Sequence, residues 1–142
     1  MATVEVSAAL PMTPEEAWHR ASDLSRFDEW LTLHDGWRCA LPDTLRTGTE
    51  LVSVVAVKGI RSRVTWRITD YLRPEVIELR GDAKGGVSIA MSMRIHAAAT
   101  GSELRLRIEF TGAPVFGLLG TAVARAVKGD LRRSMDRLVA LS

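Results

Sequence analysis

The chain has 142 residues, of which 46% are hydrophobic and 25% charged, and its formal net charge at pH 7 is +2. These values predict one globular domain over residues 1–142 and argue against a disordered or fibrous chain. The net charge is too small for a dedicated nucleic-acid-binding protein, so no DNA partner is expected. The single cysteine, Cys39, excludes an internal disulfide and suits a reducing compartment.

No targeting or membrane-spanning pattern stands out. Residues 1–11 lack a basic segment followed by a long apolar run, so no signal peptide is expected. The longest weakly charged run, Thr111–Ala124, has about 14 residues, whereas a membrane-spanning helix needs roughly 20. We therefore predict a cytoplasmic protein without a membrane span.

The N-terminal region predicts one strand followed by two short helices. Thr3–Leu10 alternates apolar and polar residues, which is typical of a strand with one buried face. Thr13 opens a Thr-Pro-Glu-Glu segment, the pattern of a capping box at the start of a helix. Asp23 or Ser25 is predicted to cap a second short helix, whose apolar residues are Leu24, Phe27, Trp30 and Leu31.

The middle of the chain predicts strand after strand. The links between most of the predicted strands are only a few residues long, which is the length of hairpin loops, so we expect an antiparallel meander. The predicted strands are Trp37–Leu41, Glu50–Val57, Ile60–Tyr71, Val76–Arg80, Val87–Ala98 and Glu103–Thr111.

Alternation within the strands assigns the two faces of the sheet. Val64, Trp66 and Ile68 are predicted to point inward, as are alternate residues of the strand Glu103–Thr111. In the strand from Glu50, the inward residues are predicted to be Leu51, Ser53, Val55 and Val57. The same assignment leaves Val52, Val54 and Ala56 as an exposed apolar row on the outer face. Such a row predicts self-association or a partner protein on that face.

Residues Pro114–Leu141 predict one long amphipathic helix. On a helical projection one side carries Phe116, Leu119, Val123, Val127, Leu131, Ser134, Leu138 and Leu141, and the other Arg125, Lys128, Arg132 and Asp136. A helix of this length extends about 40 Å and needs a broad apolar surface to lie on. We therefore predict an α+β fold in which a curved antiparallel sheet of six or seven strands wraps around this helix and leaves a pocket between them.

Several segments together resemble a known superfamily. They are the Val4-Glu5-Val6 strand, the segments 13–18 and 24–30, Gly48-Thr49 and the terminal helix. They resemble the SRPBCC or helix-grip superfamily, which includes START lipid-transfer domains, Bet v 1-like plant proteins and the polyketide cyclase/dehydrase group. The resemblance covers essentially the whole chain. Residues 30–34 and 57–59 are most similar to a small actinobacterial subgroup, some of whose members are assigned as toxins of toxin–antitoxin pairs.

This resemblance leaves three functions open. The first is binding of a small hydrophobic or amphipathic molecule, lipid- or polyketide-like, in the central pocket. The second is a polyketide cyclase, aromatase or dehydratase that uses a pocket histidine. The third is the toxin component of a type II toxin–antitoxin pair. The sequence contains no paired-cysteine motif, Gly-x-Ser-x-Gly elbow, phosphate loop or His-Glu-x-x-His, so neither a metal nor another cofactor is expected.

His34 is the candidate acid or base. It follows the short helices and is expected at the pocket mouth, where it could orient a phenol or carbonyl or move a proton near neutral pH. The alternative is a structural histidine that bonds the backbone at a helix end. His19 and His96 lie among polar residues and are predicted to be exposed.

The inward residues of the strands and the apolar side of the terminal helix predict the ligand-binding set. Aromatic residues and methionines in this set favour an apolar ligand over a sugar or nucleotide, because methionine adapts to irregular shapes. The predicted ligand-binding residues are Trp30, His34, Val55, Trp66, Ile68, Ile77, Met91, Met93, Ile108, Phe110, Phe116, Leu119 and Val123.

Two rows of basic residues are predicted to be solvated faces. One row is Arg61, Arg63 and Arg67, and the other is Arg125, Lys128 and Arg132. The alternative is contact with anionic lipid or RNA. No aromatic residues interleave with either row, so contact with RNA or the ribosome is not expected.

Overall fold

The computed structural model describes residues 2–57, 59–112 and 118–141. The strands are β1 (Ala2–Leu10), β2 (His34–Trp37), β3 (Glu50–Val57), β4 (Ile60–Leu72), β5 (Val76–Ala83), β6 (Val87–Ala98) and β7 (Gly101–Thr111). The helices are α1 (Pro14–Ser22), α2 (Phe27–Trp30) and α3 (Leu118–Ala140), with 3₁₀ turns at Leu24–Arg26 and Lys84–Gly86.

The seven strands form one antiparallel sheet in the order β1-β7-β6-β5-β4-β3-β2. From β3 to β7 each strand pairs with the next one in the chain, which confirms the predicted meander. The sheet curls into a half-barrel, and α3 lies along its concave side against β1. The predicted helix-grip α+β fold is therefore confirmed.

The short helices begin where the sequence predicts. The Thr13 hydroxyl accepts a hydrogen bond from the backbone N–H of Glu16 at 3.2 Å, so Thr13 caps α1. Asp23 accepts from the backbone N–H of Ser25 at 3.1 Å and caps the 3₁₀ turn that leads into α2. Trp18 of α1 and Trp30 of α2 are both fully buried, so these helices close one end of the half-barrel.

The prediction for the second strand is wrong in its bounds. The sequence pattern predicts Trp37–Leu41, but β2 runs from His34 to Trp37. Its pairing with β3 is irregular between those two residues, where Gly36 has φ = 106°. Alternation of apolar residues cannot reveal such an irregularity, because it is set by the backbone and by the pairing partner.

The predicted exposed apolar row on the outer face of β3 is also wrong. Val54 is only 8% exposed, and Val52 and Ala56 are half-buried. Arg61 of β4 forms an ion pair with Asp35 of β2, and because β3 lies between those strands the pair crosses its outer face. Arg63 and Arg61 of β4 lie opposite Val54 and Ala56 in the register, so long side chains flank this row.

The two sides of α3 agree with the helical projection. Val127, Leu131, Ser134 and Leu138 are buried, whereas Arg125, Lys128, Arg132 and Asp136 are exposed. The predicted start at Pro114 lies outside the described residues. Among the described helices, none is both long and apolar enough to cross a lipid bilayer.

Candidate functional site

Two small cavities lie between the concave face of the sheet and the α2–β2 segment. The outer cavity has a volume of about 40 Å³ and the inner cavity about 20 Å³. Phe27, Leu31, Leu79 and Met91 line both of them and therefore form the partition between them. His34 and Trp37 are half-buried, so the outer cavity approaches the protein surface at this end.

Most of the predicted ligand-binding residues line these cavities. The outer cavity is lined by His34, Val55, Trp66, Met91, Ile108 and Phe110. The inner cavity is lined by Trp30, Ile68, Ile77, Met91 and Met93. Val123 is half-buried against the core but is not among the described residues that line either cavity. Leu119 lies in α3 with its side chain outside the described part, and Phe116 lies outside the described residues.

Several lining residues were not predicted. Phe27, Leu31 and Leu79 line both cavities, and Trp37 and Ile89 line the outer one. Leu79 and Ile89 lie two residues from Ile77 and Met91 on the same faces of β5 and β6, so strand alternation could have found them. Trp37 could not be found in this way, because its strand begins earlier than its sequence pattern indicates.

His34 is held in an aromatic cluster. Its ring centroid lies 5.9 Å from that of Phe27 and 4.8 Å from that of Trp37. The Trp37 indole Nε1 donates a hydrogen bond to the Leu24 carbonyl oxygen at 2.7 Å, which fixes one wall of the cluster. Two aromatic rings on α2 and β2 thus set the position of the histidine ring.

Burial lowers the pKa of His34 below its ordinary value of 6.5. The carboxylates of Asp28 and Asp35 oppose this effect, and Arg38 reinforces it. His34 is therefore neutral near pH 7, with one ring nitrogen free of a proton. In this form it can accept a proton or a hydrogen bond from a bound molecule.

Trp66 lines the outer cavity, and two contacts fix the position of its ring. Its indole Nε1 donates to the hydroxyl oxygen of Ser53 at 2.9 Å, and Ser53 is fully buried. Gly81, its partner on β5, leaves the space for the ring, because a Cβ at that position would lie 2.7 Å from Trp66 Cε3 and 2.6 Å from Val64 Cγ1. Glycine is thus required where the indole approaches the backbone.

The cavity walls carry almost no polar groups. Among the described residues that line the two cavities, none is Asp, Glu, Lys or Arg, and His34 is the titratable one. The indole Nε1 of Trp30 is buried and finds no hydrogen-bond partner in residues 2–57, 59–112 or 118–141. Within the described part of the chain, no three His, Cys, Asp or Glu side chains are placed to hold a metal ion. His96 is exposed, and His19 lies on the surface beside Glu15 and Arg73.

The basic rows lie on the surface. Arg61, Arg63 and Arg67 are exposed on the outer face of the sheet, and Arg125, Lys128 and Arg132 on the outer side of α3. The two glutamates of β7 form ion pairs with arginines of their own strand. Glu103 contacts Arg105 at 2.8 Å and Glu109 contacts Arg107 at 2.6 Å. Surface pairs of this kind contribute little to stability.

Known proteins resemble this chain in sequence and in fold. An uncharacterized protein of Mycobacterium tuberculosis, Rv1546, is 43% identical over 141 residues, which cover 99% of each chain. A second protein of that organism, named toxin Rv0910, is 40% identical over 139 residues, or 98% of this chain and 96% of its own length. The crystal structure of CV1439 from Chromobacterium violaceum has a TM-score of 0.74 at 16% identity and covers 99% of this chain and 97% of its own. The family model described as "Polyketide cyclase / dehydrase and lipid transport" matches residues 1–142, and the chain therefore belongs to that family.

Proposed function

We propose that this protein binds a small hydrophobic or amphipathic molecule, lipid- or polyketide-like, between the concave face of the sheet and the α2–β2 segment. The observation that carries the proposal is the pair of adjoining cavities, whose described walls are almost entirely apolar. An apolar wall with a few polar groups is the usual character of a small-molecule site. The residues that we propose to contact the ligand are the predicted ligand-binding residues that line a cavity. Phe27, Leu79 and Ile89 are added to them.

The size of the cavities adds a condition to this proposal. Ligand pockets typically measure about 300–1,000 Å³, whereas these two measure about 40 and 20 Å³. A polyketide-sized molecule therefore enters only if the walls move apart. Of the cavity walls, the partition is the part best suited to move, because Met91 is half-buried and has a flexible, unbranched side chain.

Native mass spectrometry of freshly purified protein tests the binding function. We expect a population whose mass exceeds that of the chain by one small molecule, which organic extraction releases. The same protein, stripped by extraction and refolded, should lose the added mass and regain it when incubated with the extract. A single species at the mass of the bare chain, unchanged by added extract, would contradict the proposal.

A second candidate function is catalysis by His34 on a polyketide-like substrate. The observation that favours it is the position of a neutral imidazole in the wall of the outer cavity. A neutral imidazole can take a proton from a carbon or hydroxyl group near pH 7. Against this candidate, the described cavity walls hold no carboxylate or cationic side chain that would act with His34.

The His34→Gln variant separates binding from catalysis. If His34 transfers a proton, turnover of a poly-β-ketone substrate should fall by about 10²–10⁴-fold, while binding of the substrate changes little. If the protein only binds, the wild type itself shows no turnover above the uncatalysed rate. His96→Gln is the matched control, because His96 is exposed on the outer face of β6.

A growth-inhibiting role is the third candidate, and it is favoured by the 40% identity to a protein named toxin. Under this proposal the protein acts through a macromolecular partner and is opposed by a partner protein. Induced expression in an actinobacterial host tests it. Arrested growth that a co-expressed neighbouring gene relieves would support the role, and unchanged growth at high expression would contradict it.

A further inference from the structure

Among the described residues, two buried side chains lack a hydrogen-bond partner, Ser102 and Trp30, and the indole of Trp30 is the one that lines a cavity. Trp30 is 1% exposed, it lines the inner cavity, and its Nε1 has no hydrogen-bond acceptor among the residues that the structure describes. Trp66 and Trp37 both donate through Nε1, to Ser53 Oγ and to the Leu24 carbonyl oxygen. A buried N–H without an acceptor is unfavourable, so an indole in this state calls for a partner that the described part of the chain does not provide.

A water molecule is a poor partner at this position. A buried water normally makes about three hydrogen bonds and needs polar groups around it. Apart from Trp30, the described lining of the inner cavity offers one polar side chain, Ser22, whose hydroxyl already donates to the Trp18 carbonyl oxygen at 2.5 Å. The other described lining residues are apolar. A carbonyl oxygen on an otherwise apolar molecule fits better. One hydrogen bond satisfies the oxygen, and the rest of the molecule packs favourably against apolar walls.

The residues that line the two cavities also limit the charge of the ligand. No described lining residue of either cavity is cationic, so a carboxylate or phosphate in the inner cavity would be buried without a counter-charge. A hydrocarbon would leave the Trp30 N–H unpaired. The acceptor must therefore be neutral, as in a ketone, quinone or ester.

We infer that the bound molecule is a neutral carbonyl compound whose oxygen accepts a hydrogen bond from Trp30 Nε1 in the inner cavity. This inference rests on the proposed binding function and names the chemical class of its ligand. The carbonyl end lies deepest, and the rest of the molecule passes the partition of Phe27, Leu31, Leu79 and Met91 into the outer cavity. Trp30 is then the residue that selects the ligand class, and the apolar walls supply the affinity.

A matched pair of probes tests the inference on the wild-type protein. 1-Tetralone and tetralin share a bicyclic skeleton and differ by a carbonyl group. We expect 1-tetralone to bind about three- to tenfold more tightly, which is the usual net value of one hydrogen bond. With ¹⁵N-labelled tryptophan the protein shows one indole signal for each of its four tryptophans. The Trp30 indole proton should move downfield with 1-tetralone and remain nearly in place with tetralin.

Variants give the second readout. Trp30→Phe removes the N–H and should abolish the preference for 1-tetralone, while tetralin still binds. Trp18→Phe is the control, because Trp18 is equally buried but lies on α1 against Tyr71, outside the described lining of both cavities. If Trp30→Phe does not fold, the changes in the indole chemical shifts of the wild-type protein test the inference by themselves.

The outcomes separate this inference from the proposed function. Equal affinity for both probes with no differential shift of the Trp30 signal would overturn the inference and leave the binding function standing. Failure of both probes to bind would contradict both. A shift confined to another tryptophan would also overturn the inference, because the carbonyl would then lie elsewhere.

Discussion

The backbone N–H of Thr32 donates a hydrogen bond to the hydroxyl oxygen of Ser134 at 2.9 Å, and this bond joins the α2–β2 turn to the buried side of α3. Ser134 in turn donates to the Asp130 carbonyl oxygen at 2.8 Å, and the Thr32 hydroxyl donates to the same carbonyl at 2.9 Å. The cavities lie next to this turn, because Leu31 and Leu33 flank Thr32; Leu31 lines both cavities and Leu33 the outer one. The bond therefore holds the helix and one cavity wall together.

Ser134→Ala should lower the free energy of unfolding by about 1–3 kcal/mol, because it leaves the Thr32 N–H without its acceptor. Ser102→Ala is the matched control. Ser102 is also fully buried, but its hydroxyl has no partner within the described part of the chain, so its removal should be neutral within about 0.5 kcal/mol or slightly stabilising. Urea denaturation of both variants measures the difference, and equal losses would contradict the role of the Thr32–Ser134 bond.

The buried side of α3 gives a second prediction. Leu131→Ala should cost about 2–5 kcal/mol, because Leu131 is fully buried and the truncation leaves a cavity. Arg132→Ala, on the exposed side one residue later, should change stability by no more than about 0.5 kcal/mol. Comparable losses in the two variants would mean that α3 is docked through a different side.

Much of this fold could be predicted from the sequence, for a physical reason. β1, β4 and β7 each have one buried and one solvated face. The alternation of apolar and polar residues therefore indicates both that each segment is a strand and which of its faces is buried. β6 begins and ends where its sequence predicts, because turns with glycines flank it on both sides. The amphipathic pattern of α3 likewise records which side is buried.

The parts that sequence did not predict depend on contacts between distant residues. The start of β2 is set by an irregular pairing with β3, and the outer face of that strand is spanned by an ion pair between Arg61 and Asp35, which lie 26 positions apart in the chain. Whether the Trp30 indole finds an acceptor is likewise a property of the packed core. Local pattern carries no information on such pairings.

Gly81 provides a third prediction. A methyl group there would lie 2.6 Å from Val64 Cγ1 and 2.7 Å from the Trp66 ring, so Gly81→Ala should destabilise the protein by about 1–3 kcal/mol and shift the fluorescence of Trp66. Gly129→Ala in α3 is the control, because its nearest neighbour is the flexible Arg133 side chain at 3.4 Å. That change should be neutral or stabilise the helix by up to about 1 kcal/mol. A well-tolerated Gly81→Ala would mean that the Trp66 ring does not lie on this glycine.

The lowered pKa of His34 predicts a pH dependence of stability. Its pKa in the folded protein lies below the value of about 6.5 expected in the unfolded chain, so the unfolded chain binds more protons between these two values. The contribution of His34 to the free energy of unfolding is therefore fully present above about pH 6.5. It decreases as the pH falls toward the pKa of His34 in the folded protein. Thermal unfolding between pH 5 and 8 should show this fall in the wild type and a smaller one in His34→Gln.

The control for this experiment is His96→Gln, which changes an exposed histidine on the outer face of β6. It should retain the wild-type dependence. A His34→Gln variant whose stability falls as steeply as that of the wild type would show that another group is responsible.

The central claim is that an apolar molecule binds in the outer cavity, and a cavity-filling variant tests it most directly. Val55 lines that cavity, whereas Val52, on the same strand, points to the outer face. Titration with the apolar, uncharged fluorescent probe N-phenyl-1-naphthylamine should show binding to the wild type and to Val52→Phe. Val55→Phe should bind the uncharged probe at least about tenfold more weakly, since its ring occupies the site. Equal affinity in the three folded proteins would contradict the claim.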